Sequence, residues 1–203
     1  MKKINLFFML CLCMMFVSCG SMKSYIATYF IDLQSVESPA DAKQQFGETK
    51  VVKFEDNGIS KYRYEDDYIE IVWNTANQKK FIFVLKNKSG HTMKINWDDI
   101  SYVGINGQVG RVMHAGVKYN ERNSSQPATT IPKDANITDM LLPTENVYFD
   151  SYWKEAYLFP CIYKSQESMD AEKDMYKGKQ MKILMPIMIE NVQNDYVFTF
   201  VVN

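Results

Sequence analysis

The stretch KNKSGHTMKINWDD, Lys86 to Asp99, decides how this chain should fold. Past a turn around Ser89 and Gly90, His91, Met93, Ile95 and Trp97 fall at every second position, with Thr92, Lys94, Asn96 and Asp98 between them. A period of two sorts residues onto the two sides of an extended strand, whereas a helix would scatter both sets around its axis. The reading is a strand with one buried face and one wet face, which Asp98 and Asp99 terminate.

The same rule extends toward the N-terminus. FIFVLKN, Phe81 to Asn87, is almost continuously apolar and reads as a central strand, and YIEIVW before it groups Ile69, Ile71 and Trp73 on one side. KVVKFEDNGISKYRYE, from Lys50, is a strand, a turn at Asn57 and Gly58, and a returning strand with Tyr62 and Tyr64 on one face. Tyr25, Ala27, Tyr29, Ile31 and Leu33 alternate along a first strand. Ser38 as cap and Pro39 at the first helical position predict a short connecting helix that Gly47 ends.

Toward the C-terminus, ISYVGINGQVGRVMHAGVKY is a hairpin through Asn106 and Gly107, with Gly110 and Gly116 marking a bulge or a close backbone approach. Pro127, Pro132 and Pro143 confine their segments to edge strands or strand ends, because proline cannot donate to a ladder. SQESMDAEKDMYKG predicts a charged helix from Ser168 to a stop at Gly178. The chain closes on a hairpin with Ile183, Met185, Ile187 and Ile189, then Tyr196, Phe198 and Phe200, facing one way. About nine or ten short strands and one or two short helices make an all-β class, sandwich or barrel.

The first eighteen residues, MKKINLFFMLCLCMMFVS, join two lysines to an apolar run from Ile4 to Val17 that only Asn5 interrupts. That run is shorter than the roughly 20 residues a spanning helix needs, and it reads as an export signal. Here the chain resembles a bacterial lipoprotein precursor, on the residues Val17, Ser18, Cys19, Gly20 and Ser21. Phe16 departs from the leucine usual at the first position of that box, and Cys11 and Cys13 each follow a leucine. The resemblance implies removal of residues 1–18, a diacylglycerol on Cys19, and a short tether to residue 24. It also implies sorting to the outer membrane, since Gly20 follows the cysteine in place of an aspartate, and the periplasmic leaflet rather than the cell surface.

Each buried methylene contributes about 0.8 kcal/mol, so two or three acyl chains on Cys19 anchor a domain for its lifetime. With Cys11 and Cys13 removed and Cys19 capped, Cys161 is the remaining thiol; a Cys19 to Cys161 disulfide is the rival reading. Without Lys2 and Lys3, the 23 basic residues fall to 21 against 24 acidic ones, which offers nucleic acid no electrostatic footprint. Residues 25–203 are expected as a single domain. The segment from Phe81 to Tyr148 resembles the immunoglobulin-like β-sandwiches of bacterial envelope lipoproteins, a likeness of style that implies no enzymatic activity.

Chemistry is thinly represented. The two histidines, His91 and His114, have no spacing that sets imidazoles on one helix face; a site joining them with Asp98 and Asp99, or pairing His114 with Cys161, would have to be assembled by the fold. No catalytic residue, metal or cofactor is assigned. Glu65, Asp66 and Asp67 read as a solvated turn, and the glycines of GINGQVG run from strand to strand, the wrong context for phosphate. The sequons at Asn87, Asn123 and Asn136 read as chance. Tyr62, Tyr64 and Tyr68, set among Lys61, Arg63, Glu65, Asp66 and Asp67, are the candidate binding surface, with cross-strand packing as the alternative. The expectation is a non-catalytic, lipid-anchored envelope module that binds a protein rather than a glycan. The alternative is a hydrolase or metal-dependent enzyme built around His114.

Overall fold

The structure is a computed structural model that describes residues 23–37 and 50–203. The expected leader, Cys19 and the expected helix from Ser38 to Gly47 lie outside the described residues. The chain begins with β1 (Tyr25–Ile26) and β2 (Ile31–Glu37), followed by a meander of β3 (Lys50–Asp56), β4 (Ile59–Glu65), β5 (Ile69–Asn74) and β6 (Phe81–Asn87). Short strands β7 (Met93–Ile95), β8 (Ser101–Val103), β9 (Val109–Met113) and β10 (Thr129–Ile131) lead to β11 (Asn136–Pro143). A separate hairpin, β12 (Val147–Asp150) and β13 (Tyr152–Glu155), precedes β14 (Ile162–Tyr163), helix α1 (Gln166–Glu172) and the closing hairpin of β15 (Gln180–Ile189) and β16 (Val192–Val202).

The all-β class is what the structure has. Its strands are more numerous and shorter than the nine or ten expected, because several alternating stretches break where they change partners. The expected first strand shows why. Burial alternates from Ala27 through Tyr29 and Ile31 to Leu33, yet Tyr25 and Ile26 pair with β14 while residues from Ile31 onward pair with β16. The opening stretch behaves likewise: Met93, Ile95 and Trp97 are all buried, but the ladder ends at Ile95 and Trp97 sits in a 3-10 turn with Asp98 and Asp99. His91, expected on the inner face, is exposed and pairs with Glu190 at 2.8 Å.

In one layer β3, β4, β5, β6 and β11 follow each other as antiparallel neighbours. In the other, β15 carries β16 on one edge and both β8 and β7 on the opposite edge. Pro186 falls between the β8 partners, which end at Leu184, and the β7 partners, which begin at Ile187, so no ladder there needs its missing N–H. β11 joins the layers: residues to Leu141 pair with β6, and Leu142 and Pro143 pair with β9. Among the described residues β2 and β3 do not pair, and Lys53 Nζ reaches Asp32 Oδ1 across the gap at 3.3 Å. The result is close to a barrel that stays open along one seam.

Aromatic rings fill the space between the layers. Trp73 on β5 lies 5.0 and 5.3 Å from Phe198 and Phe200 on β16 and 5.2 Å from Phe83 on β6. Such pairs contribute about 0.5–1.5 kcal/mol each beyond the area they bury. β6 is central, as expected, but only Phe81, Phe83, Leu85 and Asn87 face inward and Val84 is exposed, since an antiparallel layer keeps one face wet. The helix starts two residues before the expected Ser168, because Ser165 caps it by accepting from the Ser168 amide. The hairpin turns at Asn57-Gly58 and Gly107 have the positive φ their residues favour.

Candidate functional site

The tyrosines expected on a binding surface are core residues. Tyr64 and Tyr62 are buried, and Tyr68 packs half-buried against the same cluster. The cause is the layer above them: Tyr64 meets Tyr196 and Phe198 of β16 edge-on at 6.1 and 5.9 Å. The expected solvated turn is corrected too, since Asp66 is buried. Its Oδ2 accepts the hydroxyls of Tyr64 at 3.1 Å and Tyr196 at 3.0 Å, and its Oδ1 accepts the amides of Tyr68 and Ile69, both at 2.8 Å. Burial, then the Asp66 charge, push the Tyr64 phenol up and keep it a neutral donor. Asn87 plays a similar part: its side-chain amide donates to the carbonyls of His91, Ile131 and Pro132 and its Oδ1 accepts from Ser89, so its sequon is closed to modification in the folded state.

His114 follows β9 and stacks flat on Trp97, centroids 4.2 Å apart. Its Nδ1 lies 3.3 Å from Asp139 Oδ2, while Asp139 Oδ1 accepts the Ala115 and Met140 amides. His114 borders a cleft of about 440 Å³ whose lining also includes Glu121, Ser124 and Ser125. Ser125 Oγ donates to Asp98 at 2.5 Å, and Arg111 binds the same carboxylate at 2.8 Å. The Ser125 hydroxyl, then burial acting against it and the Gln126 amide and Arg111 with it, leave Asp98 below the usual carboxylate range. The fold thus brings His114 to Asp139, not to Asp98 and Asp99, and no group of three His, Cys, Asp or Glu side chains able to hold a metal occurs among the described residues. Cys161 lines a different cleft, and burial pushes its thiol up to about 11, away from the thiolate a nucleophile needs.

Two features of the surface remain open. The first is the outer edge of β3, which among the described residues pairs with no strand but β4. Asp56 and Ile59 flank a two-residue turn, so Phe54 and Val52 direct their amides to β4, while Glu55, Lys53 and Val51 direct theirs outward. Val51 pairs with inward-facing Tyr64 and is nevertheless exposed, as expected at an uncovered seam. The second is the β12–β13 hairpin, which pairs with no other strand among the described residues. Tyr148, Phe149 and Tyr152 are exposed on it, at 45%, 64% and 65%. It walls a cleft of about 890 Å³ whose far side is Tyr157, Pro160 and Ile162. Glu155 fixes its base, accepting from Lys80 at 2.8 Å and the Tyr119 hydroxyl at 2.7 Å, and Arg122 covers the Trp153 ring. VYFDSYWKE, Val147 to Glu155, carried the signal for this hairpin: aromatic pairs either side of Asp150-Ser151, with Ser151 at φ 60.

No family model and no curated protein matches the chain. Among solved structures it is similar to the crystal structure of Northeast Structural Genomics Consortium target SoR45, at 12% identity over 85% of each chain and a TM-score of 0.28. No helix among the described residues is long and apolar enough to cross a membrane.

Proposed function

We propose that this chain is a lipid-anchored protein of the cell envelope, held to the periplasmic leaflet of the outer membrane by Cys19, that works as a non-catalytic binding module for another envelope protein. The observation that carries the reading is the seven-residue edge of β3, whose Glu55, Lys53 and Val51 amides face outward beside an uncovered apolar side chain. An extended peptide adds to such an edge by main-chain hydrogen bonds and is sorted by alternate side chains, which favours a protein partner over a glycan. Lys53, tied to Asp32, sits on this edge as edge charges do when they discourage indiscriminate pairing. An immunoglobulin-like arrangement is the finer form of the fold proposal. Two antiparallel layers around Trp73 support it, while the four consecutive strands β3 to β6 form a meander where that fold exchanges strands between layers.

The test is photocrosslinking in intact cells from a reactive side chain at position 53, in the native sequence and with Glu55→Pro. Proline there removes an outward amide and leaves the β3–β4 bonds intact. A defined adduct that Glu55→Pro abolishes, and Val84→Thr on the opposite sheet face preserves, supports the edge. An adduct indifferent to Glu55→Pro rejects it. A second reading, hydrolysis or metal chemistry around His114, has one observation in favour, the His114–Asp139 pair beside its cleft. Turnover of an ester or peptide substrate that His114→Ala eliminates would replace the binding reading.

A further inference from the structure

One group of exposed apolar side chains lies where the chain enters the fold. Ile26 on β1 lies directly opposite Ile162 on β14, so both side chains stand on one face, and they are 54% and 55% exposed. Ile162 in turn lines the 890 Å³ cleft with Tyr148 and Tyr152 of the β12–β13 hairpin. One surface therefore runs from β1 across the cleft to Tyr152. Several of its charges are paired, Lys154 with Asp150, Lys80 with Glu155 and Lys173 with Asp170, and Lys79 at the cleft lies over the Tyr157 ring. The rings and isoleucines are left to decide what it contacts.

Chain length says what that is. Cys19 stands six residues before Tyr25, and six extended residues span at most about 21 Å. A lipid on Cys19 must hold β1, and the surface continuous with it, within that distance of the bilayer. Tyrosine is suited to that zone, with an apolar ring and a hydroxyl that stays in contact with headgroups and water. We propose that the Ile26–Ile162 pair and the tyrosines of the β12–β13 hairpin rest in the headgroup region of the membrane that holds Cys19, and so fix the orientation of the domain. The proposal rests on the lipid-anchor reading of Cys19. It turns the far end of the β15–β16 hairpin, at Ile189 and Val192, away from the membrane, about 30 Å along the strand from Gln180.

The experiment uses the full-length protein, purified from membranes and reconstituted in phosphatidylethanolamine and phosphatidylglycerol vesicles with acyl chains brominated near the headgroup. Trp73 and Trp97 are buried, and Trp153, half-buried beside position 152, is replaced by phenylalanine in every variant, so that a tryptophan at position 152 or 192 reports on its own surroundings. Tyr152→Trp is expected to show about twofold or more the bromolipid quenching of Val192→Trp, because interfacial groups insert about 5–10 Å. Equal quenching of the two, with a lipid found on Cys19 by mass spectrometry of the N-terminal peptide, overturns the surface and leaves the anchor. Shielding of Tyr152→Trp from aqueous acrylamide without bromolipid quenching also overturns it, in favour of a protein partner or a second copy. Absence of lipid on Cys19 overturns the anchor and the surface together.

Discussion

Tyr62 and Tyr64 on β4 and Tyr148 and Tyr152 on the β12–β13 hairpin all stand on antiparallel strands, yet the first pair is buried and the second exposed. The difference lies in what each strand faces. β4 is a member of a layer that packs on β16, and its inward Tyr64 meets Tyr196 and Phe198. β12 and β13 pair with each other alone among the described residues, and no layer covers the tyrosines that look across the cleft. Alternation declares that a strand has two faces; a partner layer decides which is dry.

Changes in the covered region should have the largest effects. Trp73→Ala removes the ring at the centre of the aromatic cluster and is expected to cost about 4 kcal/mol, read as a lowered midpoint in urea unfolding. A loss under about 1 kcal/mol would mean that the layers do not share a core there. Next is Asp66→Ala, which strands two tyrosine hydroxyls and two amides and should cost about 3 kcal/mol. Tyr64→Phe, which removes one of those donors and leaves Asp66 its others, should cost about 1 kcal/mol. Equal costs for the two would deny that Asp66 is the hub.

Much of this contrast is legible in the amino-acid sequence. The inward sets Ile69-Ile71-Trp73, Met93-Ile95-Trp97 and Tyr196-Phe198-Phe200 follow from period two alone, and all are buried. The turns at Asn57-Gly58 and Asn106-Gly107 follow from residues that tolerate positive φ. Pairing across long separations is not legible in the same way. Nothing near β4 announces that Tyr196, 130 positions away from Asp66, will share its carboxylate. A tyrosine flanked by Lys, Arg and Glu looks like surface until β16 is laid over it. For the same reason the sequence does not assign Asp139 to His114, since that carboxylate comes from β11 of the neighbouring strand pair and not from the acidic pair at Asp98 and Asp99.

The open region should respond at its root before its tip. Glu155 holds the hairpin to Lys80 and Tyr119; burial alone would raise its pKa, and those two hydrogen bonds more than offset it, so it lies below the ordinary 4.5. A carboxylate depressed on folding stabilises in full above its ordinary pKa, and that contribution disappears as pH falls through the folded value. The protection factors of the β12 and β13 amides, each referred to the intrinsic exchange rate at the same pH, should therefore fall about fivefold (about 1 kcal/mol) as pH drops from about 5 through the lowered value, while those of β15 and β16 hold. Lys80→Met should flatten that dependence. A fall in protection of equal size in β15 and β16 would show that the hairpin opens only with the whole protein.

At the tip, replacing both exposed tyrosines with serine should move global stability by no more than about 0.5 kcal/mol, the range of surface changes that touch no core. The same change on β4, Tyr62 and Tyr64 both to serine, should unfold much of the population at room temperature, because it opens cavities in the shared core and leaves Asp66 short of a donor. Thermal unfolding of the two double variants side by side is thus the sharpest form of the comparison. If Tyr148→Ser with Tyr152→Ser lowers the midpoint as far as the β4 variant does, the hairpin tyrosines are packed in solution, and a face that looks open is in fact part of the core. If it leaves the midpoint unchanged, those rings do nothing for folding, and on a hairpin that pairs with no other strand among the described residues they are left to contact what lies outside the protein.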